Sequence, residues 1–294
     1  MLTDRRIPSK MDNIRQRYEA LRFERIAEIP VELAETKKHY RQEPGRKEDL
    51  KWKPVKRGHR WGGSFITGWF RGNVKIPKHC NGRRVFIEAC TGGETLFFAD
   101  SKPKGVFDRF HPVVLMALRG RTGKKHHIAL EAYSGQTFPN CGPADKPRVI
   151  ERKSRVFDGI YLCLEREDVS AFVFDLKALI DLVKVLDENS LRRGKILRAL
   201  EEIFTVIRAM PEELEEEHWR PQLAEAREIM SPLLKSKNAP TTPHFGIIGH
   251  SHIDTAWLWP VAETWRKCAR TFSSVLNLMD QYPEFKFLQP APCH

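Results

Sequence analysis

Between about Trp61 and residue 160, short apolar or alternating runs are cut again and again by Gly, Pro and Asn: SFITGWFRGNVKIP, RRVFIEAC, ETLFFADSK, HPVVLMALRG and HHIALEAYSG. Runs of about four to eight residues, rich in Val, Ile, Phe and Tyr and bounded by turn formers, specify short strands. A series of them specifies an antiparallel β-sandwich. RVFIEA and HIALEA alternate well enough to bury one face each. The sandwich domain is placed at residues 50–160.

The flanks read differently. From Met11 to Ile29 the residues Ile14, Tyr18, Leu21, Phe23 and Ile26 recur at near-helical spacing, and the polar stretch 39–60 that follows has no period. Residues 1–49 are therefore expected to be a helix and an arm. After the sandwich, 161–242 is expected to be a helical connector. Phe172, Leu176, Leu179, Ile180 and Val183 make one apolar stripe, and Ser190 is an N-cap for a second helix. Pro211, followed by EELEEE, suits the first turn of a third helix. The turn-rich run 236–244 then leads to FGIIGH, expected as a buried strand. A helix over 260–282 follows, with Val261, Trp265, Ala269, Phe272, Val275, Leu276 and Met279 inward, and FKFLQ is a second strand. That β–α–β order implies a parallel pair and the opening of an α/β domain over 243–294. The fold class is multi-domain α+β.

Composition narrows the function. The formal charge is +12, but the excess is dispersed, with no zinc-finger spacing or aromatic–basic signature, so a solvated basic surface is favoured over a nucleic-acid partner. No run has the length of a membrane span, and the charged first residues do not resemble a secretory signal, so the cytoplasm is expected. The six cysteines are scattered without CxxC and are expected to be free thiols.

The chemistry concentrates in GHSHIDTAWLWP, residues 249–260. His250, His252 and Asp254 stand at alternate positions after a strand, where α/β domains bind ligands. In an extended chain, residues two apart point the same way, so His252 and Asp254 can converge on one ion. Imidazole with carboxylate suits zinc. Buried hydrogen-bonding histidines and a helix-capping Asp254 are the bland alternative, and HxHxD also fits metal-dependent amidohydrolases. Trp257 offers a flat indole face to the apolar side of a sugar ring, while Trp259 reads as packing.

The segment GHSHIDTAWLWPVAETWRKCARTFSSVLNLMDQYPEFKF resembles the start of the catalytic domain of glycoside hydrolase family 38 α-mannosidases. WGGSFITGWFRGNVKIP, GGETLFFADSKPKGVFD and IALEAYSG resemble the N-terminal sandwich of its cytosolic and vacuolar-type members. The resemblance implies a (β/α)7 barrel, here only its first βαβ unit, with one divalent ion, zinc by preference, at the base of the active site. It also implies a retaining hydrolase of terminal α-linked mannose, with an α-mannoside oligosaccharide or glycan as partner. His252 and Asp254 match the first two metal ligands, and Trp257 matches the aromatic residue lining the cleavage subsite. His250 matches a position that is not a ligand. Retaining cleavage needs two carboxyl groups about 5 Å apart. In that family the nucleophilic aspartate, the acid/base residue and a further histidine ligand lie beyond residue 294, so no catalytic residue is assigned in this chain.

After Gln289 the family pattern gives way to Pro290, Ala291, Pro292, Cys293 and His294, which reads as a truncation. The expectation is the N-terminal portion of a cytosolic-type α-mannosidase, inactive by itself. A non-catalytic carbohydrate-binding or assembly fragment acting through the sandwich is the alternative, and a metal-dependent amidohydrolase is the weaker rival. A homo-oligomer stays open.

Overall fold

The computed structural model describes residues 6–45, 48–135, 155–207, 210–255, 257 and 259–291. It divides into two compact units, one made of Met1–Glu24 with Glu165–His244 and the other of Arg25–Leu164 with Phe245–His294.

The first unit is a helical bundle: α1 (Ile7–Glu19), α2 (Glu167–Val185), α3 (Leu191–Val206) and α4 (Glu216–Leu234). Its core joins Ile7, Met11, Ile14 and Tyr18 of α1 to the apolar stripes of the other three helices. The Tyr18 ring meets Phe172 and Trp219 edge-on, with centroids 5.4 and 5.5 Å away. Ser190 caps α3 as expected, accepting from the Arg193 N–H at 3.2 Å and so satisfying one orphan donor of the first turn.

Two expectations are corrected here. The first helix ends at Glu19 instead of running to Ile29, because Phe23–Glu28 is a strand, β1. The helix of the acidic run starts at Glu216, and Pro211 stands in a turn before it.

The second unit holds two antiparallel sheets face to face. In chain order its further strands are β2 (Val31–Thr36), β3 (Lys53–Val55), β4 (Arg60–Trp61), β5 (Thr67–Lys75), β6 (Val85–Cys90), β7 (Glu94–Ala99), β8 (Lys102–Phe107), β9 (Val113–Ala117), β10 (Lys125–Tyr133), β11 (Arg155–Val156) and β12 (Gly159–Glu165). One sheet runs β1-β12-β6-β9 and the other β3-β2-β5-β10-β7-β8. Their inner faces share a core that includes Trp61, Phe70, Ile87, Phe97, Leu130 and Leu162. The strand-forming runs of the sequence fall where expected, and β1 and β2 extend the sandwich upstream of residue 50. β10 is buried on both faces from Ile128 to Tyr133, not on one, because its outer face is also covered. There Trp69, Leu96, Phe98 and Ala129 lie under Tyr40, Trp52 and Ala269.

The covering helix is α5 (Val261–Gln281), flanked by β13 (Gly249–His250) and β14 (Phe287–Leu288). β13 and β14 pair in parallel, Gly249 opposite Phe287 and His250 opposite Leu288, so the expected βαβ connection is present. The expected strand over FGIIGH shrinks to two residues, and Phe245, Ile247 and Ile248 are exposed.

The orientation of α5 also corrects the sequence reading. Val261, Trp265, Leu276 and Met279 face outward, whereas Glu263, Thr264, Arg266, Arg270 and Ser273 are buried. The reason lies in the surface beneath. β8 is an edge strand whose outer backbone groups need partners. Ser274 Oγ accepts the Val106 N–H at 3.1 Å, and Asn277 Nδ2 donates to the carbonyl of Lys104 in β8 and to that of Leu115 in β9, both at 2.8 Å. A polar helix face satisfies that edge where an apolar one would strand it.

Candidate metal centre

The loop after β13 alternates as an extended chain should. Ile253 is buried, while His252 and Asp254 on either side of it are turned outward and brought together. His252 Nε2 lies 3.0 Å from Asp254 Oδ1. Two bonds of about 2.0–2.1 Å at a tetrahedral angle would set the donor atoms about 3.3 Å apart. The pair is thus nearly in position to share one ion, and an imidazole with a carboxylate is a donor set that zinc accepts. Among the described residues no third His, Cys, Asp or Glu joins them in a metal-binding group. Both are solvent-accessible, His252 the more so. His250, in β13, is exposed and stands apart from this contact.

Trp257 is 68% exposed, with its ring centroid 6.0 Å from that of Trp259 and the planes at 80°. Trp259 is the anchored member: its indole N–H donates to Thr264 Oγ1 at 3.0 Å, and Lys267 Nζ lies 4.5 Å from its ring centroid. Thr264 in turn donates to the carbonyls of Thr255 and Asp254. The first turn of α5 thereby holds the backbone of the loop that carries the two candidate ligands. Trp259 is a half-buried support, and Trp257 leaves a free indole face.

What holds α5 is a buried ionic cluster that sequence reading missed. Arg266 Nη1 donates to Glu131 Oε1 at 2.6 Å and to Thr67 Oγ1 at 2.8 Å, while Arg266 also meets His39. Glu263 Oε1 takes Arg270 Nη1 at 2.5 Å, and Glu263 Oε2 lies 2.9 Å from Arg266 Nε. Glu94 Oε2 sits 3.1 Å from Lys267 Nζ and 3.3 Å from Arg270 Nη1. Taking such charges out of water costs several kcal/mol each, so the cluster stands only because the charges compensate one another.

Burial pushes the Glu131 carboxyl from 4.5 up to about 7, against the opposing pull of Arg266 and Arg270. Between those pH values the folded chain keeps a proton that the unfolded chain has lost, so stability falls as pH rises through the window. We expect the chain to lose about 2–3 kcal/mol between pH 4.5 and 7 from this group, relative to Glu131→Gln. Urea unfolding of both proteins at the two ends of that window measures it. Identical pH dependence in the two would show that Glu131 does not titrate there.

Residues 243–292 match the family model described as the glycosyl hydrolases family 38 N-terminal domain, and residues 28–151 match the one described as the alpha-mannosidase jelly roll domain. Alpha-mannosidase 2C1 of Homo sapiens is 28% identical over 240 residues, which cover 80% of this chain and 22% of that protein. Alpha-mannosidase of Saccharomyces cerevisiae is 63% identical over 41 residues, 14% of this chain and 4% of that protein. The chain thus spans about a fifth of the length of the curated relatives it matches over most of its own. Among solved structures, β-glucuronidase from Ruminococcus gnavus covers 49% of this chain and 29% of its own, with a TM-score of 0.31 and 8% identity, a likeness too slight to bear on fold or function.

Proposed function

We propose that this chain, whose residues 28–151 and 243–292 match the alpha-mannosidase jelly roll and glycosyl hydrolases family 38 N-terminal domains, belongs to the family 38 α-mannosidases and forms part of a metal-dependent retaining α-mannosidase of the cytoplasm. The substrate would be a glycan ending in α-linked mannose. The observation that carries the reading is the 3.0 Å approach of His252 to Asp254 inside the segment that matches the family 38 domain. His252 and Asp254 would hold a divalent ion, zinc by the chemistry of the pair, and Trp257 would place its exposed indole against the sugar ring. Bound there, the ion would polarise and orient sugar hydroxyls. The free thiols of Cys90 and Cys163 favour a reducing compartment.

Residues 1–294 alone are proposed to have no glycosidase activity, since the resemblance assigns them two of the expected ligands and neither the nucleophile nor the acid/base residue. The chain, assayed on an aryl α-mannoside with added zinc, is expected to match its His252→Ala variant at background. It is also expected to keep less than one zinc per chain after dialysis, because a two-donor site is open and weak. Turnover clearly above the variant would refute the proposal of inactivity.

The rival, a non-catalytic carbohydrate-binding role for the sandwich, is favoured by one specific feature of that domain, a polar cleft on its outer sheet face.

A further inference from the structure

The outer face of the six-stranded sheet changes character along its strands. At one end, Thr67 and Glu131 enter the ionic cluster under α5; in the middle, Trp69 and Ala129 are covered by apolar groups. At the other end the face opens into a cavity of about 660 Å³. That is within the ~300–1,000 Å³ typical of small-ligand sites.

The floor of this cavity is a grid set by strand register. On β5, Arg71 and Asn73 stand two residues apart and so share a face. Glu32 on β2 lies directly opposite Arg71, and His127 on β10 lies directly opposite Asn73. The arm folds over them and brings Glu43 to His127, 2.7 Å from Oε2 to the ring Nε2. Arg71 spends two donors on one oxygen of Glu32, at 3.0 and 2.9 Å, and its guanidinium lies 3.8 Å from the ring centroid of Trp52. These contacts orient the Arg71 and His127 side chains along the floor.

Their chemistry selects among ligands. Arg71 is neutralised by Glu32 and His127 faces Glu43, so among the described lining residues no uncompensated cation awaits an anion. No described group of three or more possible ligands exists for a metal. What remains is bonding capacity of both senses: Glu32 Oε1 accepts, and the Asn73 amide nitrogen and Arg71 Nη1 donate. Pro30, Pro44 and Pro54 line the same cavity and present rigid C–H walls. A ligand with hydroxyls on its edges and C–H groups on its faces fits both surfaces.

We infer that this cleft is a binding site for a neutral pyranose or short oligosaccharide, separate from the His252–Asp254 loop. The inference stands on the sandwich alone and does not depend on mannosidase activity, which turnover tests separately.

The test is a calorimetric or NMR titration of the full chain with methyl α-mannoside and α-linked mannotriose, using glucuronate as a charged control. Saturable binding of a neutral sugar in the millimolar range is expected. It should weaken about tenfold in both Asn73→Ala, which removes the amide donor, and Glu32→Gln, which turns one accepting oxygen into a donor, and stay unchanged in His252→Ala. The inference is overturned by absence of saturable binding to either neutral sugar. Binding unaltered in both cleft variants, binding lost in His252→Ala, or a preference for glucuronate would overturn it equally. Urea midpoints of the two cleft variants, expected near wild type, separate loss of binding from loss of fold.

Discussion

Replacing Arg270 by alanine is expected to destabilise the second unit by about 3–5 kcal/mol, the range seen when one partner of a buried ion pair is removed. Arg270 is 1% exposed, and its Nη1 is the donor that Glu263 Oε1 receives. Glu263 is itself fully buried, so without Arg270 its charge would rest on Arg266, which already serves Glu131. The arginine is also costly to keep. Its Nε and Nη2 have no hydrogen-bond partner among the described residues. Removing both charges should therefore be much milder than removing one, and the double variant Glu263→Gln, Arg270→Met should recover a large part of the loss. Urea unfolding of wild type, Glu263→Gln, Arg270→Met and their double variant supplies the coupling energy. An Arg270→Ala variant within about 1 kcal/mol of wild type would mean that water or a rearranged Lys267 replaces the guanidinium at little cost.

That cluster also shows where the sequence stops being readable. Arg266 and Glu131 are 135 residues apart, and nothing local to either hints at the other. That β6 and β10 are strands and that Ser190 caps a helix is legible, because each is decided within a few residues, whereas the burial of β10 on both faces is not. The first helix was overextended for a physical reason. In β1 only Phe23 and Ile26 are partly buried, a spacing of three that mimics a helical stripe. Its pairing with distant β12 decides the matter. α5 is legible as a helix, but of its expected inner face Ala269 packs inward while Val261, Trp265, Leu276 and Met279 do not, since the period gives the stripes but not the partner. Here the partner is a sheet edge and an acidic surface. Of the candidate site, the alternation that sends His252 and Asp254 to one side was legible, and so was the exposed indole of Trp257. The support beneath them, through Thr264 and the ionic cluster, was not.

The second large effect is expected at Trp61, where alanine should cost about 3–5 kcal/mol and phenylalanine about 1–2. Trp61 lies in the short strand β4, paired with β11, yet its side chain reaches the centre of the sandwich core and is fully buried. Its ring meets Phe70 edge-on with centroids 5.6 Å apart, and Phe70 stacks on Phe157 at 5.2 Å. The indole occupies the space left by Gly68 of β5, where an added Cβ would come within 2.8 Å of two indole carbons. A glycine thus makes room for the largest side chain in the core. Alanine at 61 would open a void that a rigid β5 backbone cannot close, and the Thr91 carbonyl would lose the donor it receives from Nε1 at 2.7 Å. Phenylalanine keeps most of the packing and loses that hydrogen bond, so the gap between the two variants separates the cavity from the donor. If Trp61→Phe unfolds at nearly the same urea concentration as Trp61→Ala, the bond to Thr91 carries the stability and the packing argument fails.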